Sequence, residues 1–228
     1  MDELSTAQEK LINSLHTKKG REKSGLCLLE GRKVIETAGD AVEFTFSREF
    51  THHYDLLMTT DTPQDHAAVA RIPQWTTKDV EVPSILVVLD GVQDPGNVGS
   101  IFRLCLGFDA SLLLIESVDV SNPKVVRSSV GALFHVPWAT MTRSEAEMYL
   151  STLHRPVFRL ELTNGQSEQL DAVPVKESIV LIAGSEGNGI FIKTAGTSIA
   201  IDHNNKLESL NVAHALAIAL HHIHSSTK

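Results

Sequence analysis

From Pro83 onward the chain alternates between short, continuously apolar runs and longer segments whose apolar residues are spaced for one helical face. Apolar runs bounded by turn residues read as strands buried on both faces, and the intervening segments read as helices. The pattern predicts strands at Ile85–Leu89, Leu112–Ile115, near Trp138, and at Val157–Leu162, Ile179–Ala183 and Ser198–Ile201. Helices are expected near Val98–Gly107, Pro123–Val130 and Ser144–Leu153, with a final one from Asn211. Such alternation implies an α/β fold, a mostly parallel sheet with helices on both faces, in which ligands bind at the carboxyl ends of the strands.

The N-terminal part is patterned differently. It reads as a helix at Ala7–Leu15, a basic loop, a strand at Leu26–Leu29, a helix from Arg32 and a strand near Tyr54–Met58. Pro63, Pro73 and Pro83 break the stretch that follows, leaving room for a short helix near His66–Ala70. A boundary near residue 80 then separates a small α/β domain, 1–80, from a larger domain, 81–228.

Composition narrows the function classes. With 42% hydrophobic residues in 228, the chain has enough apolar content for a packed core. Its apolar runs fall well short of the roughly 20 residues that cross a bilayer, and MDELSTAQEK lacks the layout of a secretory signal, so a cytoplasmic protein without a membrane partner is expected. Cys27 and Cys105 are the only cysteines and have no metal-binding spacing. A net charge of -8 argues mildly against nucleic acid. However, Met1–Ile35 carries seven basic residues against five acidic ones, which makes Lys18, Lys19, Arg21, Lys23 and Arg32 candidate RNA contacts.

Three polar segments at strand ends are candidates for chemistry. In LDGVQDPGNVGSIFR, Asn97 is placed to cap a helix, and Gly99 and Arg103 are spaced i, i+4, so Arg103 projects from a face with room beside it for a phosphate or an oxyanion. In LIAGSEGNG, the glycines let backbone amides approach a ligand. This run fits a dinucleotide fingerprint poorly, because Glu186 stands where the second glycine belongs. Ala183–Gly187 also resembles a nucleophile elbow, with Ser185 followed by Asp202 and His203 in hydrolase order, but Gly187, Asn188 and Gly189 are poor helix residues where an elbow needs a helix. In LESLNVAHALAIAL, Ser209 and Asn211 precede a helix apolar nearly all round, which should be buried in the core or at a subunit interface. His221, His222 and His224 lack a joining carboxylate, and no metal is expected.

Taken in order, the three segments resemble the three motifs of the SpoU family of RNA 2′-O-methyltransferases, within the SPOUT class: Asn97, Gly99 and Arg103; Gly184, Glu186, Gly187 and Gly189; and Ser209, Leu210 and Asn211. NPKVVRSSVGALFHVP looks like the segment between the first two motifs, and LCLLEGRKVIETA like the start of the family's small substrate-binding domain. The resemblance implies a trefoil-knotted methyltransferase domain, a homodimer, and S-adenosylmethionine held by backbone groups at Gly184, Ile201 and Leu210. It also implies an RNA substrate, ribosomal or transfer, with Arg103, Asn97, Glu186, Ser209 and Asn211 around the reacting ribose. Where the family usually has Pro and Met after the position of Ile201, this chain has Asp202 and His203. A catalytically silent RNA-binding protein is the alternative that this departure keeps open, and a serine hydrolase using Ser185 is the more distant one.

Arg103 is best suited to clamp a phosphate and a developing oxyanion, since a guanidinium resists deprotonation. Glu186 would anchor Arg103 or order its loop, and Ser209 and Asn211 would orient the ribose.

Overall fold

The computed structural model describes residues 3–162, 167–170, 173, 178–204 and 206–225. The chain forms two compact units, Met1–Gln74 with Asp119–His135, and Trp75–Val118 with Val136–Lys228. The division departs from a single cut near residue 80 chiefly because the excursion Asp119–His135 packs with the N-terminal residues.

In the N-terminal unit, an antiparallel sheet has the order β1-β3-β2, with β1 at Leu26–Glu30, β2 at Val42–Ser47 and β3 at His66–Arg71. Helices α1 (Thr6–Leu15), α2 (Lys18–Ser24) and α3 (Arg32–Ala38) surround it. Ile12, Leu15, Leu28, Phe46, Tyr54, Leu57 and Val69 form its core.

Three sequence expectations change here, and one strand is new. The basic stretch is helical rather than a loop: Thr17 caps it by accepting from the Gly20 amide, and Gly25 at φ 69 ends it. Gly20 within this helix has a steric role, because a Cβ there would lie 1.9 Å from the Ser14 carbonyl oxygen. His66–Arg71 is the central strand, not a short helix, since Ala67, Ala68, Val69 and Ala70 are buried on both faces and tertiary packing overrides alanine's helix propensity. Val42–Ser47 is a strand the pattern did not reveal. Tyr54–Leu57 is a turn of 3-10 helix instead of a strand, which brings Tyr54 and Leu57 onto one side, into the core.

In the second unit, the strands are β4 (Ile85–Asp90), β5 (Ala110–Ile115), β6 (Trp138–Met141), β7 (Val157–Leu160), β8 (Glu168–Gln169), β9 (Ile179–Gly184) and β10 (Thr197–Ala200). Among the described residues they form one sheet of order β6-β5-β4-β9-β7-β10-β8, with every pairing parallel. Leu86, Val88, Leu113, Ile115, Val180 and Ile182 pack on one face with α4 (Thr77–Glu81) and α7 (Arg143–Thr152). The alternate residues Val87, Leu89, Leu112, Leu114 and Leu181 are equally buried. They point the other way, toward α5 (Pro95–Gly107) and α8 (Val212–Ser225), which pack against β5 and β9 and against each other. Among the described residues no helix is long and apolar enough to cross a membrane.

The excursion carries α6 (Pro123–Ser129), which packs on β1. Its anchor is Arg21, which is buried and donates to Asp119 Oδ2 at 2.7 Å, to Ser121 Oγ at 3.0 Å and to the Leu15 carbonyl at 2.9 Å. Arg21 is therefore a structural residue with its donors engaged, and is withdrawn from the RNA contacts expected of it. Burial alone would raise the Asp119 carboxyl, but hydrogen bonds from Arg21 and Ser121 outweigh it and hold the group below the usual carboxylate range. A depressed carboxyl stabilises the fold above its unfolded value, and that stability is lost as pH falls through the folded value. Arg21→Met, which strands a shielded carboxylate, should cost about 3–5 kcal/mol in urea denaturation at pH 7. The deficit should shrink in acid as Asp119 protonates, whereas a pH-independent deficit would rule out the pair as its source.

Candidate active site

The carboxyl end of the parallel sheet is built by three loops. After β4, Asp94 rather than Asn97 caps α5, its Oδ1 accepting from the Asn97 amide at 2.8 Å, with Pro95 in the first turn. This leaves the Asn97 side chain unused by the helix. After β9, residues 185–189 close a tight turn in which the Gly189 amide donates to the Ser185 carbonyl at 3.0 Å, with Gly187 at φ 89 and Gly189 at φ 70. Gly184 admits no side chain, because a Cβ would lie 2.1 Å from the Gly189 carbonyl oxygen. Before α8, Asn211 Oδ1 accepts from the Ala213 amide at 3.0 Å and the His214 amide at 3.3 Å, a helix cap.

Capping fixes the Asn211 amide so that its Nδ2 points away from the helix. That group donates to Glu186 Oε1 at 2.6 Å and to Asn97 Oδ1 at 3.0 Å, and Asn97 Nδ2 donates to Glu186 Oε1 at 3.1 Å. The Val212 amide adds a third contact to Glu186 at 3.3 Å. Asn97, Glu186 and Asn211, far apart in sequence, thus meet in one closed hydrogen-bonded set. A carboxylate against the amino end of α8 also complements the helix dipole.

Beside this set lies a cavity of about 600 Å³ lined by Gly184, Glu186, Ile201, Ser209 and Leu210, together with Glu161, His203 and Glu208. Its volume is in the range of sites for cofactor-sized molecules, and its carboxylates suit a cationic one. Glu161 accepts from Arg159 at 2.8 Å and from Ser198 at 2.7 Å. Burial would raise its carboxyl, but these bonds prevail and hold it below the usual range. His203 Nδ1 lies 2.7 Å from the Ile201 carbonyl, so Nδ1 is the donor and carries the proton.

Arg103 is placed differently. It is exposed on α5, outside the cavity lining, and makes no hydrogen bond or ion pair among the described residues. It does not pair with Glu186, which is engaged by the two asparagines instead. In the other unit, Lys18, Lys19, Lys23 and Arg32 are exposed, with Lys18 3.7 Å from Glu22 and Arg32 2.6 Å from His66. The hydrolase arrangement is not assembled: Ser185 opens a glycine turn rather than a helix, Asp202 is exposed, and His203 is bonded to Ile201. Among the described residues no metal-holding group of His, Cys, Asp and Glu is found.

Asp90 escaped the sequence reading. Fully buried at the end of β4, it accepts from the amides of Phe191 at 2.5 Å and Ile192 at 2.7 Å and from Arg143 Nε at 3.0 Å. A carboxylate closing an otherwise apolar strand was the available signal, since a buried charge needs partners.

Residues 84–221 match the model of the SpoU rRNA Methylase family. The chain is 30% identical to the 23S rRNA (guanosine(2553)-2'-O)-methyltransferase RlmP of Bacillus subtilis, across 98% of this chain and 99% of that protein. It is 31% identical to the 23S rRNA (adenosine(1067)-2'-O)-methyltransferase of Streptomyces azureus over 60% of this chain and 52% of the other. An AdoMet-bound rRNA methyltransferase from Sinorhizobium meliloti shares the fold with a TM-score of 0.86 at 21% identity, covering 100% of this chain and 98% of that one.

The two loop residues should differ in structural weight. Gly184→Ala forces a methyl into backbone and should cost about 1–3 kcal/mol, whereas Glu186→Ala, at an exposed carboxylate, should cost less than about 1 kcal/mol. Chemical denaturation of both variants checks the order, and a larger loss from Glu186→Ala would contradict the geometry.

Proposed function

Because the chain belongs to the SpoU rRNA Methylase family, we propose that it transfers a methyl group from S-adenosylmethionine to a ribose 2′-hydroxyl of large-subunit ribosomal RNA. The observation that carries this reading is the convergence of Gly184, Ile201 and Leu210 on one cavity beside the Asn97–Glu186–Asn211 set. Ribosomal rather than transfer RNA is favoured because the likeness to the ribosomal enzyme RlmP runs the full length of the chain, N-terminal unit included.

The cofactor supplies an activated methyl on a sulfonium. The chain's own residues bind and orient. Backbone groups of Gly184, Ile201 and Leu210 hold the cofactor, and Glu161, Glu186 and Glu208 give the cavity a negative lining that favours a cation. Glu186 locks Asn97 and Asn211 in place, and Ser209 offers a hydroxyl at the cavity wall to the incoming ribose. Holding the 2′-hydroxyl in line is the main contribution, since an oriented pair gains most of what a bimolecular encounter lacks. As the hydroxyl gives up its proton to solvent water, Arg103 stabilises the oxyanion and grips the adjacent phosphate. Its lack of a protein partner among the described residues leaves its donors available for that task.

The N-terminal unit, Met1–Gln74 with Asp119–His135, is read as the RNA-binding part, through Lys18, Lys19, Lys23 and Arg32. The second unit, Trp75–Val118 with Val136–Lys228, is read as the knotted methyltransferase, the knot being what its likeness to the family implies. A homodimer is supported by Leu106 and Ile218, large apolar residues left 43% and 44% exposed on the packed pair α5 and α8. We place the enzyme in the cytoplasm, where ribosomal RNA is modified.

Methyl transfer from labelled S-adenosylmethionine to unmodified 23S rRNA, with mapping of the modified ribose, tests the reading. Arg103→Ala should lower kcat by about 10²–10³ while cofactor affinity, measured by calorimetry, stays within about twofold. Wild-type turnover in this variant would remove Arg103 from the reaction.

A further inference from the structure

Phe191 directly follows Ile190, which lines the cofactor cavity, yet its ring is left 55% exposed. Its neighbours are ionic. The Arg143 guanidinium carbon lies 5.3 Å from the ring centroid, and Arg143 is held in turn by Asp90 and by Glu116. One buried carboxylate fixes both halves of the arrangement: Asp90 Oδ2 binds the Phe191 amide at 2.5 Å, and Oδ1 binds Arg143 Nε at 3.0 Å. The ring is thus presented on a rigid mount at the carboxyl end of the sheet, where Asp90 pairs in register with Gly184 of the cofactor loop.

Charge and area decide what this ring meets. Two carboxylates around one guanidinium leave no net positive charge for a phosphate, so the arrangement suits the flat face of a base better than the nucleic-acid backbone. A second copy of the chain would need about 800 Å² of matching surface. A single ring offers at most about 250 Å², and here its border is charged. An isolated, rigid aromatic at the edge of an RNA-modifying site is what a base stacks upon, and only an unpaired base has a face to offer.

We propose that Phe191, backed by Arg143, is a stacking platform for an unpaired base of the RNA substrate next to the methylated nucleotide. The proposal rests on the methyltransferase reading above and extends it to how the RNA is held. Phe191 acts as a binding residue for RNA, without contact to the cofactor.

The test compares wild type with Phe191→Ala, Phe191→Leu and Phe191→Trp in methyl transfer to unmodified 23S rRNA at several salt concentrations. Phe191→Ala should raise KM for RNA about tenfold with cofactor affinity unchanged and a salt dependence parallel to wild type, because no phosphate contact is lost. Phe191→Trp should restore KM and Phe191→Leu should not. An unchanged KM in Phe191→Ala, full rescue by leucine, or a flattened salt dependence would each overturn the platform. A fall in molar mass on sedimentation of Phe191→Ala would overturn it in favour of a contact between copies. Wild-type protein that binds no S-adenosylmethionine would overturn the methyltransferase reading and this proposal with it, whereas active wild type beside an unaffected Phe191→Ala would sink the proposal alone.

Discussion

The site depends on one carboxylate oxygen. Glu186 Oε1 receives Nδ2 of Asn97, Nδ2 of Asn211 and the first amide of α8, and so gathers two helix starts and a loop around a single point. Loss of any one partner frees a side chain that the others hold. The carboxylate can occupy that point only because the turn carrying it is made of glycines, two of them in left-handed conformations and a third, Gly184, pressed against backbone where a methyl has no space. Asp90 repeats the device on the adjacent strand, where a buried carboxylate ties the exit of the same loop to β4. Two carboxylates at the carboxyl end of the sheet thereby hold the glycine-containing loop at two points, and the cavity lies beside it.

The arginines sort by how many partners they have. Arg21, Arg143 and Arg159 each engage two or more protein groups and act as crosslinks: Arg21 between α2 and the excursion, Arg143 between β4 and α7, and Arg159 between β7 and the 192–194 segment through the carbonyls of Ile192 and Thr194. Arg103 has none among the described residues and stands exposed on α5. Sequence position does not reveal this difference, since a planar guanidinium serves equally to stitch a fold or to grip a phosphate. Burial and partners separate the two uses.

Much of the second unit was legible because its physics is local. Strands buried on both faces leave continuous apolar runs, so β4 and β5 fell within a few residues of their observed bounds, whereas the start of α5, expected to be capped by Asn97, is set by Asp94. The N-terminal unit was less legible because tertiary contacts decide it. An alanine-rich run became the central strand only because neighbours bury both of its faces, and Gly20 sits in a helix only because Ser14 crowds it. At the site, residue types and order pointed to Asn97, Glu186 and Asn211, but not to who binds whom. Glu186 was expected either to anchor Arg103 or to order its loop; it binds Asn97 and Asn211, and Asn211 serves as cap and clamp together. Asp90 went unread, and His203 was read only as part of a hydrolase order and as a departure from the family, since their contacts depend on loops whose paths no spacing predicts.

The excursion Asp119–His135 bears on the order in which the protein is made. Arg21 is separated from Asp119 by 98 residues and from Ser121 by 100. A nascent chain therefore emerges from the ribosome with the guanidinium that must be interred in the first unit, but without the groups that neutralise it, until β4, α5 and β5 of the second unit have also been synthesised. Domains commonly mature in the order of their synthesis. In this protein the first unit has to wait until Trp75–Val118 of the second has been made, so the path of the chain ties completion of the first unit to synthesis of the second.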